Sequence, residues 1–257
     1  MEELIAAAEA AAEAAALVIR PLFRSALLVE AKGDASPVTA ADRGAEQAMR
    51  ALLAARFPEH GIWGEEFGAD RPEAEWLWLL DPIDGTRAFV TGRPLFGTLI
   101  GLLHRGRPVL GLLDQPVTGE RWLGAAGRPT RFRSRFGGTA GCRPCPRLDA
   151  AELSCTSPDM FVTADRPGFE RLRAAARRVT WGGDCYAYGL LALGLVDVVA
   201  ESTMRPWDWA ALVPVVEGAG GRVTDWEGAP LRLEGDGRVL AVGDPALLGQ
   251  AVSLLAG

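Results

Sequence analysis

The sequence predicts an α/β protein in two halves, residues 1–140 and 141–257, and three observations point there. An unbroken apolar run, Trp76-Leu77-Trp78-Leu79-Leu80, stops on Asp81-Pro82-Ile83-Asp84-Gly85-Thr86, as a buried strand does where it leaves a sheet. Strand-like runs over 95–103, 108–113 and 119–123 then follow one another, with turn signals at Arg105-Gly106 and Thr118-Gly119. Past Gly141, strand-like and helix-like stretches alternate, the pattern of a layered α/β unit.

Each element has its own warrant. Residues 2–19 are alanine-rich with Glu9 and Glu13 and lack the basic start and continuous apolar core of a signal peptide, so they read as a soluble helix. Thr39 can cap a second helix running to about Phe57-Pro58, with Asp42 three residues on completing a capping box. Gly61-Ile62-Trp63 is a short strand ending in Glu65-Glu66. Gly85-Thr86 opens a short helix toward Phe89. In the second half, 153–156 and 196–201 read as strands, and 169–177 and 184–193 as helices. A last helical pattern, Ala210 to Gly218, opens after Pro206-Trp207-Asp208-Trp209.

The chemistry lies in the acids. Asp81 and Asp84 alone could be a solvated turn, but Glu65-Glu66 also ends a strand and Asp208 sits between two tryptophans. Carboxylates gathered in one cleft raise each other's pKa unless a cation compensates them. Magnesium suits such hard oxygen ligands, and with only His60 and His104 in the chain a zinc site is disfavoured.

Composition narrows the remaining classes. A chain of 257 residues, 49% hydrophobic, can bury a substantial core. Its net charge of −6 argues against a general nucleic-acid binder, and no apolar stretch is long enough to span a membrane, so a cytoplasmic protein is expected. The four cysteines read as reduced thiols, the Cys142-Arg143-Pro144-Cys145 pair included. Arg128, Arg131, Arg133 and Arg135 would put a basic face on an exposed strand or loop, solvated or touching another subunit.

Taken together, Glu65-Glu66, Asp81-Pro82-Ile83-Asp84-Gly85-Thr86 and Trp207-Asp208 resemble the signature of the inositol monophosphatase family of magnesium-dependent phosphatases. Val38-Thr39-Ala40-Ala41-Asp42 and Glu217-Gly218-Ala219-Gly220-Gly221 extend the match along most of the chain. The stretches 92–102 and 181–186 are most similar to the histidinol-phosphate phosphatase branch, while 128–141 departs from the family in lacking an asparagine-glycine turn.

The resemblance implies an inositol monophosphatase/fructose bisphosphatase-like five-layered αβαβα sandwich, a homodimer, and an active site between the halves that holds two to three Mg2+ ions. It implies that Glu65, Asp81 and the Ile83 carbonyl hold one ion and Asp81, Asp84 and Asp208 a second, with a third, weaker ion joining through Glu65 and waters. Thr86, hydrogen-bonded to Asp42, would orient and deprotonate the attacking water, and the Gly85 and Thr86 amides would receive phosphate. Lys32, the only lysine, precedes Asp42 as a lysine does in the family motif, and is either an active-site cation or an incidental surface residue.

Asp184 and Glu201 would face the leaving group, with Tyr186 and Trp207 near them; two acids suit the amine and imidazole of histidinol. The expected activity is hydrolysis of L-histidinol phosphate, in histidine biosynthesis. Inositol phosphate, another sugar phosphate or a 3'-phosphonucleotide is the alternative substrate, and a non-catalytic magnesium or anion-binding protein is the alternative class.

Overall fold

The computed structural model describes residues 1–25, 30–31 and 37–256; Lys32 lies outside them. In chain order the helices are α1 (Glu2–Leu22), α2 (Ala40–Arg56), α3 (Thr86–Val90), α4 (Arg166–Ala175), α5 (Asp184–Leu191), α6 (Pro206–Trp209), α7 (Leu212–Gly218) and α8 (Leu248–Ala256). The strands of the first half are β1 (Glu30–Ala31), β2 (Pro37–Val38), β3 (Gly61–Gly64), β4 (Gly68–Asp70), β5 (Trp76–Asp84), β6 (Gly97–His104), β7 (Arg107–Gln115), β8 (Glu120–Ala125) and β9 (Arg131–Arg133). Those of the second are β10 (Glu152–Cys155), β11 (Arg178–Trp181), β12 (Val198–Glu201), β13 (Arg222–Thr224) and β14 (Val239–Val242).

Two sheets carry the architecture, one of seven strands in the order β4-β3-β5-β6-β7-β8-β9 and one of five in the order β11-β10-β12-β14-β13. The alternation of side chains along β5 shows how the layers stack. Trp78 and Leu80 pack with α1 and α2, among Ala8, Ala12, Ala45 and Met49, on one face. Leu77 and Leu79 pack on the other face with α5 and α7, among Tyr188, Leu191 and Val215, which also meet Val199 and Ala241 of the second sheet. The far side of that sheet, Leu153, Val198 and Leu240, packs against Phe169 and Leu172 of α4 and Ala251 of α8. The chain is therefore a five-layered αβαβα sandwich.

A row of glycines sets the spacing of the middle layer. Gly101, Gly111 and Gly124 are cross-strand partners on β6, β7 and β8. A Cβ at Gly111 would stand 1.9 Å from the Ala211 carbonyl oxygen, and one at Gly124 2.1 Å from that of Pro214. The 210–214 backbone thus lies directly on the sheet, and it is this backbone that leads out of α6 with Asp208. Gly111→Ala is expected to destabilise the protein by about 1–3 kcal/mol, the usual cost of overpacking, measured by urea unfolding. A change within 0.5 kcal/mol would mean that the helix layer yields freely.

Several expectations are corrected. Strand β5 does not stop at Leu80 but runs through Asp84, with its pairing to β6 shifting register between Asp81 and Asp84. Pro82, read as a stop, is tolerated because it sits in that irregularity, where no ladder amide is needed. The helix expected over 210–218 is α7, and a separate short helix, α6, precedes it and carries Asp208.

The basic run 128–133 stays solvated, its arginine side chains 48%, 59% and 69% exposed, and it is also paired within the chain. Arg128, Arg131 and Arg133 pair within the chain with Glu2, Glu9 and Glu13 of α1. These acids fall about two and then one helical turn apart, so α1 presents them in line to the edge strand.

Candidate active site

The parallel pairing of β3 with β5 sets Gly64 opposite Leu80, and the Glu65 amide donates to the Leu80 carbonyl at 3.1 Å. Glu65 therefore stands beside Asp81 at neighbouring strand ends. Asp208 comes over the same ends from α6, where Arg205 N–H donates to its Oδ2 at 2.7 Å. Asp81, Asp84 and Asp208 each bring a carboxylate oxygen to within 4.8 Å of the others.

Their electrostatics are those of a site short of positive charge. Burial, then Glu65, Asp84 and Asp208, push the Asp81 carboxyl well above its ordinary range. Burial, followed by Asp208, pushes Asp84 up to about 8, and burial with Glu65 and Glu201 does the same to Asp208 against the Arg205 amide. Asp81 is only 2% exposed, so water does little to relieve the crowding. Clustered, buried carboxylates of this kind fit a hard divalent cation. Neither histidine joins them: His60 accepts from Trp78 Nε1, and His104 stacks on Trp76 at 4.1 Å.

Asp42 divides its carboxylate between two tasks. Oδ2 accepts from the Thr39 amide at 2.8 Å and the Thr39 hydroxyl at 2.6 Å, which is the capping box of α2. Oδ1 faces Thr86 Oγ1 at 3.3 Å. Thr86 Oγ1 also lies 3.1 Å from the Ile83 carbonyl, so its single proton can serve only one of these acceptors at a time. Burial raises the Asp42 carboxyl, against the Thr39 hydrogen bonds and with Glu65 adding to the rise.

From the second half, α5 meets this cluster end-on. The Cys185 amide donates to Asp84 Oδ2 at 2.5 Å. Asp184 folds its carboxylate against the Asp84-Gly85 turn, where a Cβ on Gly85 would sit 3.1 Å from Asp184 Oδ2. Gly85 has φ of +91°, so a side chain there would be strained by the backbone and crowded by Asp184 and the Leu95 carbonyl. Burial, then Asp84 and Glu201, raise Asp184 to about 8.

Glu201 stands behind Asp184 at only 3% exposure. Its Oε1 accepts from the Thr156 amide and hydroxyl, and its Oε2 from the Tyr188 hydroxyl at 3.0 Å. Tyr186 turns away to Glu120, donating at 2.7 Å, while Trp207 meets Trp63 edge-on at 5.7 Å. Of the seven acids expected at the site, Asp42, Glu65, Asp81, Asp84, Asp184 and Asp208 lie around one cluster and Glu201 stands beside Asp184, whereas the Tyr186 hydroxyl is engaged by Glu120.

Two contributors have no signature of their own in the sequence. The Cys185 amide is a backbone group, and Glu46 reads as an ordinary helix acid. Its position four residues after Asp42, on the apolar face of α2, is the one signal that could have marked it.

Comparison with known proteins gives the family and the fold. The model of the inositol monophosphatase family matches residues 1–256. The chloroplastic bifunctional phosphatase IMPL2 of Arabidopsis thaliana is 44% identical, over 99% of this chain and 75% of that protein. A histidinol-phosphatase of Chlorobaculum parvum is 35% identical, over 93% of this chain and 92% of its own. The solved structure of an inositol monophosphatase from Zymomonas mobilis superposes with a TM-score of 0.90 at 49% identity, covering 100% of this chain and 98% of that one. With the strand-end acids, the αβαβα layers and these relatives in agreement, the chain belongs to the inositol monophosphatase family of phosphatases.

Proposed function

We propose that this chain is a magnesium-dependent phosphomonoesterase that hydrolyses L-histidinol phosphate to L-histidinol and phosphate. The observation that carries the substrate assignment is Asp184, an acid folded against the Asp84-Gly85 turn beside the carboxylate cluster. The ester oxygen of a bound substrate would lie next to it. An ammonium or imidazolium there gains a charge-assisted hydrogen bond that an uncharged polyol does not. Glu201, close enough to raise Asp184, deepens the negative wall.

Glu65, Asp81, Asp84, Asp208 and the Ile83 carbonyl would hold the ions, which the family generally requires. Bound magnesium supplies screening of the phosphate oxygens, acidification of a water and stabilisation of the leaving alkoxide. Thr86 and Asp42 hold the proton that the attacking water gives up, with Asp42 Oδ1 as the acceptor beyond the Thr86 hydroxyl. The Gly85 and Thr86 amides steady the phosphate while the phosphorus–ester oxygen bond breaks and the leaving alkoxide takes up a proton from water to depart as the alcohol. Cys185, through its amide, keeps Asp84 aimed at the cluster.

A second reading, with the same chemistry on inositol phosphate or another sugar phosphate, is favoured by the inositol monophosphatase at 49% identity. Phosphate release from histidinol phosphate, inositol phosphate and glycerol phosphate, measured side by side, separates the two. For Asp184→Asn, kcat/KM on histidinol phosphate should fall roughly 30-fold, the equivalent of about 2 kcal/mol for a lost charge-assisted bond. The other two esters should change much less. Equal losses on all three would remove Asp184 from the pocket, and a wild-type preference for inositol phosphate would select the second reading. The homodimer expected from the family resemblance is checked by sedimentation equilibrium.

A further inference from the structure

Helix α2 touches the site at two levels. Asp42 in its first turn faces Thr86, and Glu46, one turn further on, is fully buried. A buried carboxylate in an apolar layer needs donors for its oxygens. Glu46 finds them in the loop that follows β3: the Glu66 amide donates to Oε2 at 2.7 Å and the Phe67 amide to Oε1 at 3.3 Å. Arg50 adds a charge-assisted bond to Oε1 at 2.6 Å and reaches on to the Gly68 carbonyl.

The backbone on both sides of Glu65 is thereby fixed. Its own amide is tied to Leu80, the residue before Asp81, and the next amide is tied to Glu46. The sequence makes room for this arrangement. A Cβ at Gly64 would fall 2.0 Å from Glu46 Oε1, so only glycine lets the carboxylate pass under the loop.

We propose that Glu46 is a positioning residue for metal binding: by holding the Glu66 and Phe67 amides it keeps Glu65 aimed at the Asp81, Asp84 and Asp208 cluster. The proposal rests on the reading of that cluster as a magnesium site. Because Asp42 and Glu46 share one rigid helix, a single element then sets both the proton-accepting carboxylate and the loop that bears a metal ligand. Glutamine cannot substitute for Glu46. Its amide group would point N–H at either the Glu66 amide or Arg50, donor against donor.

The test compares the wild type, E46Q and D81N, each stripped of metal, by calorimetric titration with Mg2+, by thermal melting and by hydrogen exchange of residues 64–68. E46Q should bind Mg2+ roughly 10–100-fold more weakly, the span typical of groups that orient a ligand from behind. Its 64–68 amides should exchange faster while those of β5 keep their protection, and phosphatase activity should recover as Mg2+ is raised. D81N should lose binding and show no such recovery.

Wild-type Mg2+ affinity in E46Q would overturn the proposal and leave the site reading standing. A wild type that binds no Mg2+ would sink the site reading itself. Should E46Q fail to fold, E46D keeps the charge but falls a methylene short of the two amides, and it carries the same expectation. Unfolding of both variants would make Glu46 a general structural residue and overturn its positioning role.

Discussion

Asp81→Asn is expected to abolish phosphate release while raising the melting temperature of the metal-free protein. Asparagine keeps an oxygen that can accept from the Ile83 amide, which donates to Asp81 Oδ1 at 3.0 Å, so the turn survives. What goes is the charge expected to be shared between two ions. Several kcal/mol of transition-state stabilisation, at about 1.4 kcal/mol per decade, corresponds to a loss of roughly three orders of magnitude or more. Turnover near the wild-type level at saturating Mg2+ would remove Asp81 from the metal site.

The stability half of this prediction has a definite sign with pH. Asp84, Asp208 and Asp184 have folded-state values raised to about 8, above the roughly 4 of an unfolded carboxyl. Groups raised in this way contribute stability below pH 4 that is lost as pH climbs through 8. The metal-free wild type should therefore melt at progressively lower temperature between pH 5 and 9, and Mg2+ should reverse the decline at the alkaline end. In Asp81→Asn the slope should be shallower. A flat profile for the metal-free wild type would contradict the burial and mutual repulsion that raise these acids.

Thr86→Ala should lower kcat by roughly two to four orders of magnitude with KM little changed, since its hydroxyl is assigned to the water and not to affinity. The geometry makes the reason specific. Thr86 Oγ1 stands between Asp42 Oδ1 at 3.3 Å and the Ile83 carbonyl at 3.1 Å, so its removal disconnects Asp42 from the reacting centre without disturbing the Thr39 cap. Thr86→Ser should retain most of the activity. An effect confined to KM would mean that Thr86 only binds phosphate, and Asp42 would lose its assignment too.

What the sequence discloses of this site follows from where each residue stands. Asp81 and Asp84 are legible because an apolar strand followed by Asp-Pro and Asp-Gly has few other readings. The cap of α2 is legible because Thr39 and Asp42 have the capping-box spacing and little else could satisfy the first amides. Strands β11 and β13 are not: Arg178-Val179-Thr180-Trp181 and Arg222-Val223-Thr224 are as short as β10 and β12 but mix charged and polar residues with apolar ones. Strand β11 is an edge strand whose outer positions are exposed, so even its apolar content is low. The true length of β5 is hidden by Pro82, whose tolerance depends on a register shift that only pairing with β6 creates. Glu46 is hidden for a different reason. Within α2 its place on the apolar face shows only that it is buried, and what it satisfies is a loop some twenty residues away, where the missing side chain of Gly64 makes room for it.

The backbone at Asp184 bears on how this pocket could change over evolutionary time. Gly182, Gly183 and Asp184 all have positive φ, at 82°, 122° and 43°. The last is a conformation that Asp, Asn and Gly adopt readily and other residues only at a cost on the order of 1–3 kcal/mol. The position proposed to read the leaving group therefore draws on a short alphabet. Of its members only aspartate is negative, asparagine is neutral and polar, and glycine opens space. A lineage drifting from a cationic to an uncharged substrate has two inexpensive single steps open to it here. A lineage that needs a bulky or β-branched contact must first rebuild the whole 182–184 turn, so the reach of specificity change at this site is limited by main-chain handedness before side-chain chemistry is tried.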